Sequence, residues 1–313
     1  MIVVLAGGVG AARFLRGAVR VVPPTEITVV GNTGDDIGIY GVHVSPDLDI
    51  VTYMLADVFD EQRGFGLRGD THMVMDALAE LGEPTWFALG DRDLAVCAAR
   101  TGRLAAGESL SAITADIAKR FGVRTRILPM TDDPVHTRVR VLDGDTEREI
   151  HFQEYWVRHR AGLPAREVRL HGASSATPAP GVLNAIEEAE AVLLAPSNPV
   201  VSIGTILAVP GIRDAIAATP APVVGVSPVI GGRVVRGMAD KLLPVLGAEV
   251  SARGVAGLYA DLLDGFVIDD ADAATASDIA ALGIRVETTA TLMHSPEDAA
   301  RLAKVALTLA GRA

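Results

Sequence analysis

The run Met1-Ile2-Val3-Val4-Leu5-Ala6-Gly7-Gly8-Val9-Gly10 decides how the rest of the 313-residue chain is read. Six apolar, largely β-branched residues make a short buried strand. The glycines form a turn, and Ala11 to Val19 continue with helical spacing, Phe14, Leu15 and Val19 on one side. Glu26 to Val30 is a second strand, so residues 1–30 read as a βαβ unit. Such a unit requires a parallel sheet and a right-handed crossover. Glycine accepts positive φ and lets a bound group come close to the backbone. The helix behind it aims free N–H groups and a positive dipole end at the same spot. The stretch is neither a full G-x-G-x-x-G nor a P-loop, since no Gly-Lys-Ser/Thr follows. Alone, it fits a nucleotide or phosphate site and a ligand-free turn equally well.

Further polar loops follow. The second strand ends in Gly31-Asn32-Thr33-Gly34-Asp35-Asp36. Ser45-Pro46-Asp47-Leu48-Asp49 opens a helix through Val51, Leu55 and Val58, and its carboxylates suit capping or a metal or substrate site. A helix is predicted over Thr71 to Leu81 and a strand over Trp86 to Leu89, ending in Gly90-Asp91-Arg92-Asp93. Arg92 there suits a phosphate or carbonyl-bearing ring, or a salt bridge to its flanking aspartates. Ser109 to Phe121 reads as a helix and Arg124 to Leu128 as a strand.

The pattern then changes. Val135 to Leu142 and Glu147 to Phe152 alternate as an antiparallel hairpin around Asp143-Gly144-Asp145. The densest aromatics, Phe152, Tyr155 and Trp156, follow, then the basic run Arg158-His159-Arg160. They suit ordinary core or a cover for a flat ring. The α/β alternation resumes at Pro180, with strands at 191–195, 223–227, 265–268 and 285–287 and helices at 182–189, 202–207, 273–282 and 296–309. The expected fold is α/β: a Rossmann-like, mostly parallel sheet with helices on both faces. Residues 1–133 and 179–313 form the core, and 134–178 form a small inserted subdomain.

Composition narrows the function. A net charge of -11 and a pI near 5.1 argue against nucleic-acid or anionic-membrane partners. The uncharged stretch Ala191 to Ile212 is broken by Pro196, Asn198, Pro199, Ser202 and Gly204, and reads as core, not a membrane span. The N-terminal apolar run is too short for a secretory signal and lacks a basic flank. Cys97 is the single cysteine, so no intramolecular disulfide forms, and a cytoplasmic protein is expected. The histidines are scattered, which disfavours zinc, and G-x-S-x-G is absent. What remains is carboxylate-rich: Asp35, Asp36, Asp47, Asp49, Asp91 and Asp93. With the glycine turn this favours Mg²⁺-assisted phosphate chemistry. An ordinary aspartate, pKa about 3.9, is a weak base at neutral pH. Metal ligation or positioning a hydroxyl suits it better.

Several blocks, taken together, resemble the CofD family: Gly7-Gly8-Val9-Gly10, Asn32 to Asp36, Ser45 to Asp49, Leu89 to Ala95, Leu128 to Pro134, His151 to Trp156, Pro196 to Pro199 and Val226 to Gly232. They fall in the family's order and span nearly the whole chain. The resemblance implies a 2-phospholactate or phosphoenolpyruvate transferase of coenzyme F-420 biosynthesis. Its acceptor is the deazaflavin Fo, its donor a guanosine diphosphate ester, its cofactor Mg²⁺, its leaving group GMP and its usual assembly a homodimer. Carried over by motif, Asp49 and Arg92 hold Fo. Gly7, Gly8, Gly10, Asn32, Ser197 and Asn198 cradle the donor, and Trp156, with Tyr155, covers a ring. Asp47 and Asp49 stand nearest the chemistry, and Asp35, Asp36 and Asp49, with Asp47, are the metal candidates. A chain rich in Ala, Gly and Arg and poor in Lys suggests a high-GC bacterium, whose relatives resemble the enolpyruvyl-using branch. The competing readings are a non-enzymatic regulator of the same superfamily that binds a nucleotide sugar, and an NAD-dependent oxidoreductase. The imperfect glycine fingerprint argues against the oxidoreductase.

Overall fold

A computed structural model describes residues 1–312. Seven parallel strands form the central sheet: β1 (Ile2–Ala6), β2 (Ile27–Gly31), β5 (Arg126–Pro129), β9 (Ala191–Leu194), β10 (Val223–Val226), β13 (Gly265–Ile268) and β14 (Arg285–Thr288). Their spatial order is β14-β13-β10-β9-β1-β2-β5. From β1 the chain moves outward to β2 and β5, then returns to β9 on the other side and winds away. The β1–β9 boundary is therefore the topological switch point, where ligands of open α/β sheets bind beyond the carboxyl ends of the strands.

The apolar run of β1 needs both faces covered, and it has them. Val3 and Leu5 enter one core cluster, while Ile2, Val4 and Ala6 enter the other. Burial on both faces explains why the strand is continuously apolar and not alternating. Helix α1 (Gly8–Val21) covers one face with Ala11, Phe14, Leu15 and Ala18. The C-terminal helix Pro296–Leu309 packs on the same face and starts with a capping box, Ser295 and Asp298.

A hairpin of β3 (Ile37–Ile39) and β4 (Val42–Val44) leaves the β2 loop and returns the chain to α2 (Pro46–Leu55). Helices α3 (Met73–Glu80), α4 (Asp91–Ala105) and α5 (Leu110–Arg120) follow. A separate antiparallel sheet holds β6 (His136–Asp143), β7 (Thr146–His151) and β8 (Ala165–His171) in the order β7-β6-β8. A short hairpin, β11 (Val229–Ile230) with β12 (Arg233–Val234), completes the strands. Among the described residues no single helix is long and apolar enough to cross a membrane.

Four local expectations need correction. Trp86 to Leu89 is not a strand but irregular chain, its apolar side chains turned to a cavity instead of to strand neighbours. The polar cluster after it therefore opens α4 without closing a strand. β8 was not foreseen: Arg166 and Glu167 are adjacent, and the register shift in its pairing with β6 breaks the period of two. The helices expected at 202–207 and 273–282 each begin as another helical form, a π turn at Pro199–Ile203 and 3-10 turns at Asp270–Thr275.

Candidate functional site

The carboxyl ends of β1, β2, β9 and β10 open onto a cavity of about 800 Å³. Gly7, Gly8 and Gly10 form one wall and Pro196, Ser197 and Asn198 another, with Trp86, Phe87, Leu89, Phe152 and Trp156 as apolar panels. Gly8 has φ +75°, which a side chain would strain. A Cβ on Gly10 would lie 2.4 Å from the Pro196 carbonyl oxygen. The Gly7 amide donates to Ser197 Oγ at 3.3 Å. The glycines thus serve first to bring the β1 and β9 loops together. Asn198 caps the π turn, its Oδ1 accepting from Val200 N at 2.9 Å and Val201 N at 3.2 Å.

Four carboxylates, Asp35, Asp47, Asp49 and Asp93, line the cavity. Neither Asp47 nor Asp49 caps its helix. Asn32 Nδ2 donates to Asp47 Oδ2 at 2.9 Å and to the Val201 carbonyl at 3.2 Å, while its Oδ1 accepts from Gly34 N at 2.9 Å. Asn32 therefore stands behind the wall and orients Asp47. Burial pushes Asp47 up to about 6, against the pull of Asn32. Burial, then the Asp47 charge, raises Asp35 well above the ordinary carboxylate value. Burial raises Asp49 too, against the pull of Arg100. Burial, then the Asp49 charge, lifts Asp93 to about 7, and Tyr53 Oη donates to it at 2.8 Å.

Arg100 is the residue sequence reading missed. It is 2 % exposed, pairs with Asp49 Oδ1 and donates to the His43 carbonyl at 3.3 Å. Asp93, Cys97 and Arg100 share the buried side of α4 at i, i+4 and i+7. A charged stripe where apolar residues belong was the available signal.

Arg92 lies one residue, about 100° of helix, from Asp93 and is exposed on α4, away from the cavity wall. It borders the cavity-lining Asp93 on the solvent side. Tyr155 is corrected: it is fully buried in the core, and only Trp156 of the pair reaches the cavity. Asp91 caps α3, accepting from Met73 N and Val74 N at 3.0 Å each. Asp36 accepts from Ser45 Oγ at 2.6 Å, pairs with His43 Nε2 at 2.9 Å and does not line the cavity.

The donor set fits a hard divalent cation. Asp35 Oδ1, Asp36 Oδ1 and Asp49 Oδ2 are buried with no hydrogen-bond partner. Such oxygens are costly unless something satisfies them, and Mg²⁺ takes carboxylate oxygens. Among the described residues the ligand-type atoms within 4.8 Å of one another belong to Asp49, Asp93 and Cys97. Burial pushes the Cys97 thiol up, so it stays protonated and is a poor ligand. Asp35 and Asp36 are outside that cluster, so the expected trio of Asp35, Asp36 and Asp49 is not gathered as a ready cage.

These features define a doubly wound α/β protein with a switch-point cavity that joins a glycine turn to buried carboxylates. Residues 2–295 match the family described as 2-phospho-L-lactate transferase CofD. The chain is 52% identical over 312 residues to a phosphoenolpyruvate transferase of Kitasatospora aureofaciens, covering 99% of this chain and 97% of that one. It is 52% identical over 319 residues to a phosphoenolpyruvate transferase of Thermobifida fusca, with the same coverages. A UPF0052-family protein from Bacillus halodurans shares the fold, with TM-score 0.64 at 16% identity over 98% of both chains. The chain belongs to the CofD family and is a transferase.

Proposed function

We propose that this chain transfers an enolpyruvyl-phosphate group from a guanosine diphosphate ester to the terminal ribityl hydroxyl of Fo, giving dehydro-coenzyme F-420-0 and GMP. The observation that carries the reading is the set of buried carboxylates at the switch-point cavity, two with unsatisfied oxygens. The relatives' names, phosphoenolpyruvate transferase, support the enolpyruvyl donor over the lactyl one. The work is cytoplasmic and the assembly a homodimer.

Asp35 and Asp49 would hold Mg²⁺ through their unpartnered oxygens, and the ion would neutralise phosphate charge. Arg100 pairs with Asp49 Oδ1 and holds that carboxylate in place, which leaves Oδ2 free for the cation. Asp47, oriented by Asn32, is a better proton acceptor than an ordinary aspartate. The hydroxyl oxygen bonds to the phosphorus that carries the enolpyruvyl group. The bond from that phosphorus to the bridging oxygen breaks, the oxygen leaves with GMP, and the hydroxyl proton passes to Asp47. Such transfer depends on alignment and charge neutralisation more than on a strong base. The Gly7–Gly10 turn and the Ser197–Asn198 loop cradle the nucleotide diphosphate. Trp156 covers a flat ring.

The test is incubation with Fo, Mg²⁺ and each guanosine diphosphate donor separately, with products read by mass spectrometry. An enolpyruvyl-phosphate adduct of Fo together with GMP is expected. A lactyl adduct alone would reverse the donor choice. No adduct from either donor, with the protein shown to be folded, would refute the reading and favour a nucleotide-binding regulator.

A further inference from the structure

Three arginines line the cavity, Arg13, Arg160 and Arg236, and none has a part in the scheme above. Arg13 lies on α1, five residues beyond Gly8, and Arg236 follows the β11–β12 hairpin. Helical side chains lean toward the N-terminus, so Arg13 reaches back toward the glycine turn that lines the cavity. Arg236 sits at the rim, where partial burial and then the Arg13 charge push its pKa down. Its Nη2 donates to the Gly64 carbonyl at 3.1 Å. Gly64 has φ +79°, and a Cβ there would lie 2.0 Å from that nitrogen. The loop around residue 64 is therefore shaped to admit this guanidinium.

Neither cation is well neutralised. Arg13 meets Glu61 only at 4.0 Å, and Glu61 is already held by Arg16 at 2.5 Å. No carboxylate offsets the lowering at Arg236. The acidic cluster has its own counter-ion in Arg100. Two guanidinium groups that repel across one cavity wall favour an anion that bridges them.

We propose that Arg13 and Arg236 clamp the diphosphate of a nucleoside diphosphate donor, one from the glycine-turn helix and one from the segment after the β11–β12 hairpin. This rests on the functional reading above and assigns the side chains that take the donor's negative charge. It also explains how an acidic chain binds an anion: the cationic charge is local, while the net charge of -11 is spread over the whole molecule. Bidentate geometry makes arginine, not lysine, the suitable residue.

The test is calorimetric titration of the full-length protein with guanosine, GMP and GDP, repeated for Arg13→Ala, Arg236→Ala and Arg236→Lys. GDP affinity is expected to fall roughly 10- to 100-fold in each alanine variant. GMP should lose less and guanosine nothing, with partial recovery in Arg236→Lys. Unchanged GDP binding, or an equal loss for guanosine, would overturn the clamp and leave the transferase reading standing. Failure of the unmodified chain to bind GDP would refute the nucleotide-donor reading, and the clamp with it. Thermal unfolding checks that each variant folds. Should an alanine variant not fold, the GDP-to-guanosine ratio is read on Arg13→Lys and Arg236→Lys, where an unchanged ratio counts against the clamp.

Discussion

Replacing Arg100 by methionine would leave Asp49 as a buried carboxylate with no counter-charge. Arg100 is 2 % exposed and its partner side chain 7 % exposed, so solvent replaces little of the lost interaction. Removing one partner of a buried ion pair costs about 3–5 kcal/mol. Unfolding entropy of about 2.1 cal/mol/K per residue, taken over the chain, gives roughly 0.66 kcal/mol/K, so the midpoint should fall by roughly 5–8 °C at neutral pH. The penalty should itself depend on pH. Asp49 is already raised above the ordinary carboxylate value with Arg100 in place, and loss of the cation raises it further. Between the ordinary value, about 4, and the raised one, the folded variant binds more protons than the unfolded chain. Its stability therefore falls as pH rises through that window. The deficit relative to the parent should be greatest near pH 7.5 and shrink toward pH 5. The assay is thermal unfolding of parent and variant in chelator across that range, with Arg100→Met/Asp49→Asn as the partner. The double variant should regain much of the loss, because no buried charge remains. A pH-independent deficit, unrelieved in the double variant, would show that Arg100 acts through packing alone and would refute the charge argument.

Three other outcomes follow from the same geometry. In chelator, the parent should itself lose stability as pH rises from about 4 toward 7, since Asp47 and Asp93 are raised to about 6 and about 7; Mg²⁺ should restore the midpoint most at the alkaline end, and no effect of Mg²⁺ at any pH would count against a cation at these carboxylates. Gly10→Ala should destabilise by about 1–3 kcal/mol in urea unfolding, because its Cβ meets the Pro196 carbonyl at 2.4 Å. Asn32→Leu should lower kcat on Fo far more than it raises KM, because Asn32 touches Asp47 and not the cavity; a change confined to KM would put it in the binding wall instead.

How much of this was legible in the linear chain depends on whether the signal was local. Apolar runs such as Ile2 to Ala6 and Ala191 to Leu194 announced two-sided burial, and the βαβ order implied a parallel sheet with its loops at one end. The glycine turn, Asp47, Asp49, Ser197 and Trp156 could be placed at that end because each follows a strand or opens a helix in a recognisable block. Rotation about a helix axis was not local information. In Asp91-Arg92-Asp93 the residue nearest to a ligand-binding type, Arg92, faces solvent, while Asp93 and Arg100 face the cavity side. Packing of α4 against β4 and α2 makes that choice, by placing Arg100 against Asp49 and the His43 carbonyl. Asp35 and Asp36 are adjacent in sequence, yet one lines the cavity and the other is bound by Ser45 and His43, because the β3–β4 hairpin folds back onto it. The sequence by itself determined the layers, the parallel winding and the loops that carry the chemistry. Long-range packing sets which charges are buried, which are paired, and that Arg13 and Arg236, 223 positions apart by their numbers, line one cavity. Burial of this kind depends on long-range packing, and Asp49 and Arg100 lie 51 positions apart, beyond any local window.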